Sequence, residues 1–339
     1  MIKKFSLTLL LLLSVLSLLF LKEVQADGFN YSVSPKIPDN QIGDINSYYN
    51  LRMQPSQKTD IHLSITNHSD HIQQFNITVN TATTNGNGIV DYSKHSFDKD
   101  KSMTYSIQDL ITIEQSLITI EAGATQMVSM TLQMPEQEID GVLLGGVTVE
   151  PIIKQSEKQE IFNTYTHTIA IQVSENDNPV SAKLIGNEVS LDQINYHNVV
   201  KMNIQNPTAR LLKNLKAELT ITRKNQNKPI VSLTKKDLSI APNSNFYLPI
   251  EINDTFKPGK YTYTIIMQNE EGEWKFNKDF TIEDKEAKKL NKESVDQLNR
   301  RSLNWIVVAG IYITILTFLG FMYINNKKKK SLNMDDDSL

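Results

Sequence analysis

Cysteine is absent from this 339-residue chain, which excludes disulfide bonds and a cysteine nucleophile. The sequence also has no G-x-S-x-G, no S-x-x-K with its partner motifs and no H-E-x-x-H, so the common hydrolase signatures are missing. The formal net charge is −3, which gives no electrostatic footprint for nucleic acid. These absences favour a protein that is not an enzyme and that uses no cofactor.

The N-terminus has the three parts of an export signal. Lys3 and Lys4 precede an apolar stretch over residues 5–21, and small residues at 24–26 form a cleavage pattern. We therefore expect residues 1–26 to be a signal peptide. The alternative is an N-terminal anchor that is retained.

A second apolar run lies near the C-terminus, over residues 305–324, and contains no charged residue. At about 1.5 Å per residue, a helix of this length covers a hydrocarbon core of roughly 30 Å. The sequence thus predicts a single transmembrane helix over 305–324, flanked by lysines and followed by a cytoplasmic tail over 325–339. The expected location is the cell membrane, single-pass, with the ectodomain facing the cell wall and exterior. Residues 284–304 would form a juxtamembrane stalk, either helical or flexible.

The exported part is rich in segments where apolar and polar residues alternate, such as "IHLSITN", "QQFNITVN", "TQMVSMTLQM" and "THTIAIQV". Period-two alternation indicates strands buried on one face, and turn signals such as "NHSD" and "NGNG" separate them. A polar break at residues 174–183 divides two strand-rich halves. The prediction is an all-β fold, with two tandem immunoglobulin-like β-sandwiches over residues 29–175 and 180–283.

Three glycines stand in one apolar run, "DGVLLGGVTVE", in a chain with only 13 glycines. A phosphate-binding loop would need a helix after the glycines, and here a strand follows. The run therefore predicts a strand with a β-bulge, or a strand approached closely by another backbone, which a partner could supply by edge addition. It is the candidate binding strand, with these residues: Gly141, Val142, Leu143, Leu144, Gly145 and Gly146.

Two further groups of polar residues are candidates for a metal site or a catalytic site. His62, His68 and His71 lie close in sequence, but nothing in the pattern makes three ligands converge, so no metal site is expected. Glu270 and Glu271 lie in a predicted hairpin turn, where solvated carboxylates are ordinary. A pair of carboxylates across a cleft remains the one route to a glycan hydrolase.

Motifs spread along the exported part resemble the WxL-interacting proteins of Gram-positive bacteria. The first half carries "YSVSPKIPDNQ", "VNTATTNGNGIVDYS", "AGATQMVSMTLQMP" and "DGVLLGGV", and the second carries "NYHNVVKMNIQNPTARLLKNLK", "APNSNFYLPI" and "WKFNKDFTI". The resemblance implies a peptidoglycan-binding domain followed by a host-binding domain that contacts matrix proteins. It also implies secreted WxL-domain proteins as partners. The chain has no W-x-L of its own, since its two tryptophans occur in "WKF" and "WIV".

These observations predict a non-enzymatic surface protein that anchors or scaffolds secreted WxL-domain proteins at the cell wall. The alternative is a cell-wall glycan hydrolase or an accessory subunit of one. We expect the WxL partner on residues 29–175 rather than 180–283, because an exposed strand edge invites a partner strand and the first half holds the glycine run.

Overall fold

The computed structural model describes residues 30–153, 165–295 and 307–322. The predicted signal peptide and tail lie outside these residues, as do parts of the predicted stalk and apolar run. The described residues contain eighteen strands, β1 to β18, and three helices, and the strands account for about half of those residues.

The first domain contains eleven strands and one short helix. Four of the strands form one sheet in the order β1-β3-β9-β7, and five form a second sheet in the order β2-β11-β10-β4-β8. The remaining two pair as a small hairpin, β5-β6. The bounds are β1 Tyr31–Lys36, β2 Tyr49–Arg52, β3 Lys58–Asn67, β4 Gln73–Thr81, β5 Thr83–Thr84, β6 Val90–Asp91, α1 Ile107–Leu110, β7 Ile111–Ile113, β8 Leu117–Ile120, β9 Thr125–Gln133, β10 Leu143–Pro151 and β11 His167–Ser174.

The core of this domain lies between the two sheets. On β3, Ile61, Leu63 and Ile65 are fully buried, and Phe75 and Ile77 of β4 face them from the other sheet. Burial of each such side chain contributes about 1.5–3 kcal/mol relative to exposure. The alternating pattern read from the sequence therefore marks the face of each strand that meets the opposite sheet.

The second domain repeats this two-sheet arrangement. One sheet has the order β12-β13-β16 and the other β15-β14-β17-β18. The two sheets enclose a separate apolar core. The bounds are β12 Ile185–Ile194, β13 His197–Asn206, β14 Leu212–Arg223, β15 Pro229–Ile240, β16 Ser244–Glu251, β17 Gly259–Asn269, β18 Gly272–Ile282 and α2 Asp284–Glu293.

Helix α2 follows β18 directly and packs on the second core. Ala287 is buried there with 1% of its surface exposed, and Leu290 packs beside it. The side chain of Asn291 accepts a hydrogen bond from the backbone N–H of Phe256 at 2.7 Å and donates to the Phe256 carbonyl at 2.9 Å. In its described part, the segment expected to be a stalk is thus a helix that belongs to the second domain.

The expectation of a C-terminal transmembrane helix is wrong. The third helix, α3, is described over residues 307–322. Across all described residues, no helix is long and apolar enough to cross a membrane. The expected single-pass location in the cell membrane is contradicted by the same finding.

Candidate functional site in the groove between the two domains

The glycine run leads into β10, which is an interior strand of its sheet. Gly145 pairs with Ile171 of β11 on one side and with Thr81 of β4 on the other, and Gly146 is likewise paired on both sides. Neither pairing shows a register shift, so the strand has no bulge here. Because both backbone edges are already used, β10 cannot accept a partner strand.

The two adjacent glycines accommodate neighbours on opposite faces of the sheet. A Cβ on Gly145 would lie 1.9 Å from Ile107 Cγ2 and 2.5 Å from the Asn80 carbonyl oxygen. Because glycine has no side chain, Ile107 of helix α1 can enter the core at this position. A Cβ on Gly146 would lie 3.2 Å from the ring of Tyr92 on the outer face. The close approach expected from the sequence is therefore made by the protein's own side chains.

The first glycine of the run lies at the contact between the domains. Gly141 has a φ of +85°, and a Cβ on it would lie 2.2 Å from the carbonyl oxygen of Ala209 in the second domain. The next residue, Val142, donates its N–H to that same carbonyl at 2.8 Å. Only glycine permits this approach without strain.

A buried carboxylate joins the domains a short distance away. Asp100 is 8% exposed, and its oxygens accept hydrogen bonds from Gln205 at 2.8 Å and from Asn245 at 2.7 Å, both in the second domain. Ser102 donates to it from its backbone N–H and its hydroxyl. Burial raises the pKa of Asp100, but these hydrogen bonds outweigh burial, and the pKa lies below its ordinary value.

A small apolar cluster completes the contact between the domains. Ala82 and Leu144 of the first domain pack against Ala241 of the second, and all three are buried. The Ala241 N–H donates to the hydroxyl of Thr84 at 3.0 Å. We refer to the contacts of Gly141, Asp100, Thr84, Leu144 and Ala241 as the junction.

The outer face of the second sheet of the first domain forms the floor of a groove beside the junction. Strand β2 and the residue before it present Tyr48, Asn50 and Arg52 on this face, because residues two apart share a face. Gln172 lies opposite Asn50 in the register and donates to its side-chain oxygen at 3.0 Å. The floor thus carries an aromatic ring, a pair of amides and a guanidinium in one row.

The second domain forms the opposite wall of the groove. Two adjoining cavities, of about 540 and 300 Å³, share Gln172 of the floor and Leu211 and Lys213 of the wall. The larger cavity has polar and apolar surface in about equal parts, so it is the more polar of the two, and it also includes Arg52 and Arg210. The smaller one contains the rings of Tyr48 and Tyr92 and several aliphatic side chains.

The charged side chains of the groove are held in position by partners. Arg52 forms an ion pair with Asp177, and Arg210 pairs with Glu271 at 2.6 Å and donates to the Val180 carbonyl at 2.9 Å. The ammonium group of Lys213 forms no ion pair with any described residue and is exposed. One unpaired positive charge therefore faces the polar end of the groove.

The other residues singled out in the sequence do not enter this site. His62 contacts Ser129 at 3.1 Å, His68 contacts Ser32 at 2.8 Å, and His71 contacts its neighbour Asp70. Within the described ranges, no group of three or more histidine or acidic side chains could hold a metal ion.

The groove residues Tyr48, Asn50, Gln172 and Lys213 were missed in the sequence analysis. The alternation in "SYYNLR" shows which residues of β2 share a face, but not that β2 pairs in parallel with the distant β11. The sequence predicts Glu271 to be a solvated turn residue, whereas its carboxylate forms an ion pair with Arg210, which lies just before β14.

The described residues thus form two tandem all-β domains with a groove between them. Residues 31–151 match the sequence model of the WxL interacting protein peptidoglycan binding domain, and residues 156–292 match that of the WxL interacting protein host binding domain. The chain belongs to the WxL interacting protein family. Both matched families are binding domains, so the chain is a cell-surface binding protein, with peptidoglycan and a host molecule as the ligands of its domains. Nothing in the matches supports the hydrolase alternative.

Solved structures show only distant likeness. A chain of the Salmonella enterica SafA pilin in complex with the SafB chaperone is 12% identical, with 75% of this chain and 97% of that chain covered and a TM-score of 0.31. The E. coli chaperone DraB is 14% identical, with 75% and 97% covered and a TM-score of 0.30. The PapD-like domain of human CEP192 is 14% identical, with 44% and 87% covered and a TM-score of 0.28. These scores are too low to carry an argument, and no curated protein matches the chain.

Proposed function

We propose that this protein scaffolds secreted WxL-domain proteins at the peptidoglycan, while its second domain contacts a host matrix protein. The observation that carries the proposal is the junction. It docks a peptidoglycan-binding domain against a host-binding domain through the buried Asp100 and the cluster around Leu144. Two ligand surfaces held in one orientation are what a scaffold requires.

We propose domain limits that follow the sheets. Strand β11, His167–Ser174, pairs with β10 and β2, so the first domain would extend over residues 29–175 although the host-binding match begins at 156. The second domain would begin near residue 180 and include α2, because Ala287 is buried in its core. This adds ten residues, Asp284–Glu293, to the limit expected from the sequence.

The lengths of the open strand edges favour the second domain for the WxL partner, in place of the first domain expected from the sequence. The edge strands of the first domain have only three to six residues, whereas β18 has eleven. Strand β18 also pairs with β17 without a register shift, while β15 begins at Pro229 and is interrupted by bulges. A long regular edge accepts an added strand through its backbone groups.

A proline substitution tests this edge. Gly272 and Asn269 close a two-residue turn, and hydrogen-bonded pairs alternate along an antiparallel ladder, so the amide of Lys275 points away from β17. Lys275→Pro should therefore remove a donor from the open edge and lower the amount of a WxL-domain protein recovered with the full chain. Lys275→Thr keeps the amide and is the matched control.

The same preparations should be sedimented with purified peptidoglycan. We expect both variants to bind peptidoglycan as the unmodified chain does. Equal recovery of the WxL-domain protein by Lys275→Pro and by the unmodified chain would exclude the β18 edge. If the unmodified chain recovers no WxL-domain protein at all, the scaffold proposal is rejected for that partner.

A further inference from the structure

We propose that the groove between the domains is the peptidoglycan site, and that the second domain completes it. This inference rests on the peptidoglycan binding stated for the first domain and assigns its location. The ligand class is an acetamido-sugar segment with an attached peptide carboxylate. The floor residues Tyr48, Asn50 and Arg52 lie within the peptidoglycan-binding match. Gln172, which pairs beside them on the same sheet, lies within the host-binding match, as do Arg210 and Lys213 of the wall.

The polar end of the groove fits amide and hydroxyl groups. Gln172 donates one N–H to Asn50, which leaves its second N–H and its carbonyl oxygen for a ligand. Both side chains are half-buried on a strand face, so they are held in position before a ligand arrives. An acetamido group and sugar hydroxyls offer the complementary donors and acceptors.

The other end of the groove fits the less polar face of a sugar ring. Tyr48 and Tyr92 are both half-buried there, and the Tyr92 ring lies against Gly146 on β10. Burial raises the pKa of Tyr92, with a smaller contribution from the nearby Tyr48, so the Tyr92 phenol stays neutral at physiological pH. Tyrosine offers a flat apolar surface and a polar tip in one side chain.

Positive charge at the wall fits the carboxylate of a peptide stem. Asp177 and Glu271 already neutralise Arg52 and Arg210, which leaves the Lys213 ammonium as the charge available to an anion. Lys213 belongs to both cavities, at the point where the polar and aromatic parts meet. A peptide attached to a sugar in the groove would leave it at this point.

The test uses the full chain and a soluble muropeptide, a disaccharide with a peptide stem, in two forms: with free carboxylates and with amidated carboxylates. Titration calorimetry should show that the Asn50→Ala/Gln172→Ala variant binds both forms about tenfold or more weakly, a loss of about 1.4 kcal/mol or more. Lys213→Glu should weaken binding of the free-carboxylate form about tenfold and leave the amidated form nearly unchanged. Gln74→Ala, at the other end of the same sheet, and Lys228→Glu, an exposed lysine of the second domain that lines neither cavity, are the matched controls.

Sedimentation with intact peptidoglycan distinguishes an error in the location of the site from an absence of peptidoglycan binding. Retained binding of both groove variants to intact peptidoglycan and to the muropeptide would overturn the groove assignment while leaving peptidoglycan binding intact. Failure of the unmodified chain to sediment would reject peptidoglycan binding itself. Lys213 is exposed, so its variant keeps the assignment testable even where the double variant unfolds.

Discussion

Each domain contains a buried asparagine that ends a strand and binds a distant turn, an arrangement that we call the asparagine corner. The two corners serve different purposes. In the first domain, Asn67 is fully buried and donates to the His71 and Ile120 carbonyls, while its side-chain oxygen accepts from Ser69. In the second domain, Asn206 is also fully buried, donates to the Arg210 and Ala241 carbonyls, and accepts from Thr208. Each asparagine ends a strand and holds a distant turn against it.

The difference lies in what the held turn contacts. The turn beside Asn67 contains Gly123, where a Cβ would meet nothing within 4 Å. The turn beside Asn206 contains Ala241 and Asn243, and both bond to the first domain, at Thr84 and Ser102. A corner that only closes one sandwich is thus reused in the other to dock the two domains.

The largest predicted effect is that of Asn206→Ala. It removes the donor to the half-buried Arg210 carbonyl and one of the two donors to the buried Ala241 carbonyl, and should lower the free energy of unfolding by about 3 kcal/mol. Asn67→Ala should cost a similar amount in the first domain and leave the junction intact. Thermal unfolding of both variants, with amide exchange at the Ala241 N–H, checks this. Equal loss of exchange protection at Ala241 in both variants would contradict the distinction.

Gly145→Val should affect only the first domain. Its side chain would overlap Ile107, and overpacking of this kind costs about 1–3 kcal/mol. Ile107→Ala, combined with it, should restore part of the loss, because the overlapping atom is then gone. Denaturant unfolding of the two single variants and the double variant measures the coupling. Strictly additive losses would show that Ile107 is not the cause.

Asp100→Asn should weaken the junction by about 1–3 kcal/mol. The new amide N–H would face the N–H donors of Gln205 and Asn245, leaving a buried group unsatisfied. Asp98→Asn, at an exposed position two residues earlier, is the control. We expect a lower melting temperature for Asp100→Asn alone. Equal melting temperatures of the two variants would show that Asp100 does not stabilise the junction.

The pH dependence of the junction follows from the lowered pKa of Asp100. A carboxyl group with a lower pKa in the folded state stabilises it fully above its ordinary value of 3.8, and the contribution is lost as pH falls through the folded pKa. The difference in melting temperature between the unmodified chain and Asp100→Asn should therefore shrink below about pH 4. A difference in melting temperature that grows in acid would contradict a lowered pKa for Asp100.

The smallest predicted effects are those of Ser69→Ala and Thr208→Val. Each removes one hydroxyl hydrogen bond to its corner asparagine, at 2.7 and 2.8 Å, and should cost about 1 kcal/mol. Because the backbone N–H of the same residue still bonds to the asparagine, the corner persists. Chemical unfolding should show similar small losses, and a loss as large as that of Asn206→Ala in either variant would be inconsistent with this assignment.

The strands could be predicted from the sequence because alternation depends only on neighbouring residues. Ile61, Leu63 and Ile65 are buried as their spacing indicates, and the all-β class follows from many such segments. The junction and groove could not be predicted in this way. Asp100 and Asn245 are 145 positions apart in the chain, and no local pattern shows that they meet. The transmembrane helix at 305–324 was expected from composition alone, and no helix among the described residues meets that expectation.

The central claim is that the docked second domain completes the peptidoglycan site. The test is to sediment the Asp100→Lys variant with purified peptidoglycan. Asp100 lines neither groove cavity, so its replacement does not alter the groove surface directly. The replacement should separate the domains, because Asp100 accepts hydrogen bonds from the second domain. Circular dichroism should first show that both sandwiches remain folded. If the second domain completes the site, the variant should bind peptidoglycan about tenfold more weakly than the unmodified chain. Unchanged binding by a folded variant with separated domains would contradict it.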